Sequence, residues 1–142
     1  MRLPDWQARL SAELAASQAR AFDYGAHDCC IFAADCILAV TGRDVAADWR
    51  GRYATERDGL ALARVKSLAQ LAGRFFKPVQ PIFARRGDVA IAPVGGRVGN
   101  RRAPMLLVVD HALLIGPAGA CVAEIERTPW RAHPAVRCWR VD

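Results

Sequence analysis

Lysine is nearly absent from this chain of 142 residues: Lys66 and Lys77 stand among 20 basic side chains, and the rest are arginine. No apolar run approaches the roughly 18–20 residues a membrane span requires. The longest, Met105–Ile115, is interrupted by Asp110 and His111, so membrane insertion is not expected. The opening residues, Met1-Arg2-Leu3-Pro4-Asp5-Trp6, are charged and lack a signal-peptide apolar core. A soluble chain made in the cytoplasm is the expectation. Repeats and low-complexity tracts are missing. The five cysteines include no C-x₂-C pair and no spacing of a small disulfide scaffold. Neighbouring Cys29 and Cys30 would point to different sides of a helix. That argues against zinc or an iron–sulfur cluster on His27, Cys29, Cys30, Cys36 and Cys121. No metal and no other cofactor is expected, and Cys36, Cys121 and Cys138 read as buried free thiols.

What is present describes one globular domain, residues 1–142, with 53% hydrophobic and 24% charged residues. A net charge of +6 fits an acidic partner: nucleic acid, lipid headgroups, cell-wall polymer or an acidic protein surface. A GC-rich genome that prefers arginine codons is the simpler account of the arginine excess. The arginines are scattered, with small groups at Arg50/Arg52, Arg85/Arg86 and Arg97/Arg101/Arg102. No basic stripe interleaved with aromatics stands out, so nucleic-acid binding is not expected.

Hydrophobic spacing predicts a helix from Asp5 to about Arg20, with Trp6, Leu10, Leu14 and Ala15 on one face. A second helix runs from Cys29 to about Val40, capped by Asp28 and ended by Thr41-Gly42. On it Cys29, Phe32, Ala33 and Cys36 share a face, and Cys30 points about 100° away. After a loop from Arg43 to Tyr53, a helix is expected from Glu56 or Asp58 to Ala69, with a weaker one up to Phe76. Strands follow at about Asp88–Ala92, Leu106–Ile115, Ala120–Glu126 and Val136–Val141. Between the first two, the Pro93–Pro104 loop has the length at which loops tend to be functional. Helices first and an antiparallel meander second make the fold class α+β, with N-terminal helices packed on a small antiparallel sheet.

Cys29 is the residue most suited to chemistry. At the mouth of a helix, unpaired N–H groups and the macrodipole favour an anion, and the thiolate is the reactive form of cysteine. A nucleophilic cysteine needs an imidazole within hydrogen-bond reach and a third group to hold it. Three histidines are available. His27 lies two residues before Cys29 and could line the site. His133 lies in a late loop. His111, next to Asp110, is embedded in a predicted strand, and Glu124 on the next strand could orient it. A working pair requires the Cys29 sulfur within roughly 3–4 Å of a His111 ring nitrogen.

Asp28-Cys29 opening a helix, Gly87-Asp88-Val89 opening a strand and His111-Ala-Leu-Leu-Ile-Gly116 opening another resemble the NlpC/P60 cysteine peptidases. Phe22-x-Tyr24-Gly25-x-x-Asp28-Cys29, Thr41-Gly42-x-Asp44 and Arg50-Gly51-x-Tyr53 resemble a small branch encoded among tail genes of phages, prophages and gene-transfer agents. The resemblance runs from about Trp6 to Trp139. It implies a papain-like fold and a murein peptidase that cuts the peptide stems of peptidoglycan by acyl transfer. By it, Cys29 matches the nucleophile, His111 the general base and Glu124 the third position, while Tyr24, His27, Asp28 and Asp110 line the site. It also implies other tail-tip proteins as partners, and a place at the virion tail tip acting in the periplasm or cell wall. Three positions depart from the pattern: Phe22 replaces a tyrosine, and Cys30-Ile31 replace small residues. These departures leave room for a tail-structural module that keeps the fold and has lost turnover.

Overall fold

The computed structural model describes residues 1–142 and has an α+β architecture. Four helices, α1 (Trp6–Gln18), α2 (Cys29–Thr41), α3 (Glu56–Ala63) and α4 (Leu68–Phe75), come first. Ten strands follow: β1 (Lys77–Val79), β2 (Val89–Ala92), β3 (Arg97–Val98), β4 (Arg101–Arg102), β5 (Met105–Asp110), β6 (Leu113–Ile115), β7 (Cys121–Val122), β8 (Glu124–Ile125), β9 (Thr128–Pro129) and β10 (Arg137–Arg140). Six of them form one sheet in the order β1-β10-β2-β5-β6-β7, every pairing antiparallel. The expected meander holds from β2 through β7. The last strand then returns to pair with β2 rather than extending the far edge.

The second helix forms as its caps dictate. The Asp28 side chain accepts the Ile31 N–H, and Gly42 closes the other end in the left-handed conformation at φ 75°. Phe32, Ala33 and Cys36 face a core shared with α1, α4 and one face of the sheet, where Leu10, Val89, Val108 and Trp139 are buried. Each large side chain buried here contributes about 1.5–3 kcal/mol. The opposite sheet face packs a second core around Leu107, Val109, Leu114, Ile125 and Trp130. On α1 the inward positions are Leu10, Leu14 and Ser17. Ala15 is exposed, and Ser17 faces inward with its hydroxyl 3.0 Å from His27 Nε2.

Four expectations are corrected. The helix expected from Glu56 to Ala69 is two helices, because Arg64 takes a left-handed conformation and Ser67 caps a new start at the Gln70 N–H. The single strand expected over Leu106–Ile115 is a hairpin, β5 and β6, turning at His111 with φ 56°. Ala120–Glu126 likewise breaks into β7 and β8. The Pro93–Pro104 loop contains the small hairpin β3–β4. Cys121 is exposed, since β7 is an edge strand, whereas Cys36 and Cys138 are buried as expected.

Asp88 ties the chain ends to the sheet. Its fully buried carboxylate accepts from Arg2, Arg140 and the backbone N–H groups of Arg85 and Val141. The Gly87-Asp88 pair that opens β2 is therefore a structural anchor.

Candidate functional site

Two sequence segments interlock to hold Cys29 in place. In the turn before α2, Gly25 adopts φ 83°, and a Cβ there would lie 2.4 Å from the Tyr53 carbonyl oxygen. Only glycine permits that approach. The Gly25 carbonyl accepts the Gly51 N–H at 2.8 Å, and the Gly25 N–H donates to Asp28 at 2.9 Å. Tyr53 completes the unit by donating its hydroxyl to the same carboxylate. Arg50, from the same loop, pairs with Asp35 on α2 at 2.8 Å and grips both carboxylate oxygens of Asp44.

Over this turn lies an apolar pocket of about 180 Å³. Cys29, Cys30, Trp49, Tyr53, Phe75 and Leu106 are among its walls. Cys29 and Cys30 both line it and both pack against the first core, although on a helix that opens at Cys29 their side chains leave the axis about 100° apart. The two thiols interact. The Cys29 thiol is held below its ordinary value, first by a hydrogen bond from Cys30 and then by one with the Leu106 backbone. Burial and the Asp28 and Glu56 carboxylates oppose that shift. Cys30, as donor to Cys29 and as a buried group, is pushed well up. Burial pushes the Tyr53 hydroxyl up as well, followed by its bond to Asp28. Cys29 is thus the thiol poised to ionise.

Of the seven residues the sequence singled out, the pocket gathers Tyr24, Asp28 and Cys29. The other four lie outside it. His27 is buried beneath the turn, with Nε2 3.0 Å from Ser17 Oγ and Nδ1 unpartnered. Asp110 is engaged by Arg86 at 2.7 Å. Glu124 is exposed on the small β8–β9 hairpin. His111 occupies the β5–β6 turn with its side chain 76% exposed and 3.9 Å from Asp110.

The thiol and His111 sit at opposite ends of one strand. Cys29 contacts Leu106 at the start of β5, and about 13 Å of extended strand separates Leu106 from Asp110. Cys36, two turns further along α2, is the cysteine that feels the Asp110 charge. No histidine lines the pocket. The Cys29–His111 pairing is therefore not formed in this structure, and Glu124 does not reach His111 as a third member. The misplacement follows from the hairpin: a strand running straight through His111 would carry it past a neighbour, but a turn sends it to the rim.

Residues 1–141 match the family described as Domain of unknown function (DUF6950). The chain belongs to the DUF6950 family. No curated protein and no solved structure matches it. For this DUF6950 chain, Tyr53, Cys30 and Leu106 are among the pocket walls not singled out as site residues from the sequence. Tyr53 was visible in the Arg50-Gly51-x-Tyr53 segment, and Cys30 in its neighbourhood to Cys29. Leu106 carried no signal beyond an apolar strand.

Proposed function

We propose that this domain binds through the Cys29 pocket rather than hydrolysing. It is a papain-like module of NlpC/P60 type, associated with a phage or prophage tail, that has kept the helix-mouth thiol and lost the imidazole. The observation that carries this reading is the absence of any histidine from the pocket wall, with His111 held at the other end of β5. Without a base, neither protonation of a leaving amine nor activation of water for thioester hydrolysis has a group to perform it. The tail association rests on the motif resemblance alone.

A second reading, murein peptidase activity, has one observation in its favour: the lowered Cys29 thiol at a helix N-terminus. One assay separates the two. Purified peptidoglycan is incubated with wild-type protein and with Cys29→Ala, and soluble muropeptides are measured. The binding reading expects release from neither. Release by the wild type that vanishes in Cys29→Ala would establish the peptidase and overturn it.

A further inference from the structure

The rim of the Cys29 pocket carries charge that the fold leaves uncompensated. Hairpin β3–β4 sets Arg97 directly opposite Arg102. Like charges at facing positions of an antiparallel pair destabilise it. Arg97, Arg101 and Arg102 are all exposed and make no salt bridge. The Arg102 guanidinium turns back to the Gly95 carbonyl at 3.5 Å, and Gly95, Gly96 and Ala103 line the pocket. Bonds of 2.9 Å from Gly95 N–H to Ala103 and from Ala103 N–H to Gly96 join the hairpin to that wall. Arg97 and Arg102, chain neighbours of the wall residues Gly96 and Ala103, therefore share one face of the hairpin without an ion-pair partner, and Arg101 lies on the other face.

Beneath them the cavity of about 180 Å³ is walled by apolar side chains. An apolar cavity of about 150 Å³ accepts benzene, so this one fits a single large side chain and is too small for a long acyl chain. Among its polar wall groups Asp28 already accepts three hydrogen bonds, and the Glu56 carboxylate is exposed at the mouth. A sugar would find few partners inside, whereas an aromatic or aliphatic side chain needs none. Phe22 and Tyr24, both partly exposed and stacked edge to face, extend the apolar rim.

We propose that the pocket and the β3–β4 hairpin form a docking site for an acidic peptide segment of a partner protein. One aromatic or long aliphatic side chain is anchored in the cavity, and flanking carboxylates pair with Arg97 and Arg102. This rests on the binding reading of the pocket. A second copy of the chain is a poor occupant. Its net charge is +6, and its one acid–apolar–acid triplet, Glu124-Ile125-Glu126, has Ile125 buried in the second core.

The test is an NMR titration of the full chain with N-acetylated, C-amidated Glu-Glu-Phe-Glu-Glu. Lys-Lys-Phe-Lys-Lys and Glu-Glu-Ala-Glu-Glu peptides and phenylbutyrate serve as comparisons. The acidic phenylalanine peptide should shift the amides of Gly95, Gly96, Ala103 and Cys29. Each comparison probe should bind about ten-fold more weakly or worse, and Arg97→Glu/Arg102→Glu should cost the acidic peptide about ten-fold. These exposed hairpin positions leave both cores untouched, so the variant tests binding and not folding. Equal binding of the basic peptide, or no binding at about 1 mM, overturns the proposal. So does phenylbutyrate binding as well as the peptide, which would mark a small-molecule site, or a dimer in sedimentation that hides the hairpin. Cys29-dependent muropeptide release alongside a failed titration would sink the binding reading itself. A failed titration without release removes only the acidic-peptide assignment.

Discussion

Tyr53 donates its hydroxyl to Asp28 across 25 residues of sequence. Asp28 is the N-cap of α2 and the residue before Cys29, so this bond joins the loop after α2 to the turn that presents the thiol. The same turn meets the loop again through Gly51 and Gly25. Phe22–Cys29 and Arg50–Tyr53 therefore act as one unit, and their shared task is to fix the first turn of α2.

Removing the Tyr53 hydroxyl tests that unit. Tyr53→Phe leaves a buried carboxylate with one donor fewer, which should cost about 1–3 kcal/mol. For a chain of this size that lowers Tm by about 3–10 °C. Gly25→Ala should cost more, since its Cβ collides with the Tyr53 carbonyl and its φ of 83° disfavours any side chain. Thermal unfolding of both variants gives the answer. Wild-type Tm in either one would show that the interlock carries no stability.

Asp88 makes a second stability prediction of a different kind. Its carboxylate is fully buried between Arg2 and Arg140. Asp88→Ala strands two cations and two backbone donors, which should cost about 3–5 kcal/mol. Because Arg2 and Arg140 lie near the two ends of the chain, proteolysis should release terminal fragments early in the variant. A variant as stable as wild type, with intact termini, would remove Asp88 from its anchoring role.

Cys29 should react with iodoacetamide along a pH profile whose midpoint lies below that of an ordinary thiol, near 8.5. Its first cause is the hydrogen bond from Cys30. Cys30→Ala removes that donor, so the Cys29 thiolate loses stabilisation and the midpoint should move up. Cys30→Ser keeps a donor and should restore most of the shift. Identical profiles for wild type and Cys30→Ala would show that the two thiols do not communicate. Mass spectrometry of the alkylated protein keeps Cys29 distinct from exposed Cys121.

The legibility of this sequence varied with how local the deciding force was. The α2 boundaries could be read because Asp28 and Gly42 act within one turn of themselves. The start of α3 at Glu56 was legible for the same reason, with Thr55 bonding the Asp58 N–H, and the start of α4 could have been, since Ser67 bonds the Gln70 N–H. The β5–β6 turn was hidden for the opposite reason. Apolar residues continue on both sides of Asp110-His111, and what stabilises the break is remote. Arg86 holds Asp110, Arg131 donates to the His111 carbonyl, and Trp130 donates to the Ala112 carbonyl. Arg86 also reaches Ser11 on α1. Those partners lie at least 18 residues away in sequence. That turn, and not the apolar pattern on either side of it, sets where His111 stands.

His111→Ala is accordingly the substitution that weighs the placement of His111 directly. The imidazole is exposed, 3.9 Å from a carboxylate already committed to Arg86, and at the far end of β5 from Leu106. Its loss should leave the pH profile of Cys29 alkylation unchanged within a factor of about two, since charges separated by more than a Debye length are largely screened. Stability should also stay within about 0.5 kcal/mol, as for surface positions with no special contact. His111→Gly, which removes the cost of a left-handed φ, should match or exceed wild-type stability. A His111→Ala variant in which Cys29 alkylation near neutral pH falls ten-fold would mean that β5 and its turn rearrange to bring the imidazole to the thiol. The binding reading would then give way to the peptidase.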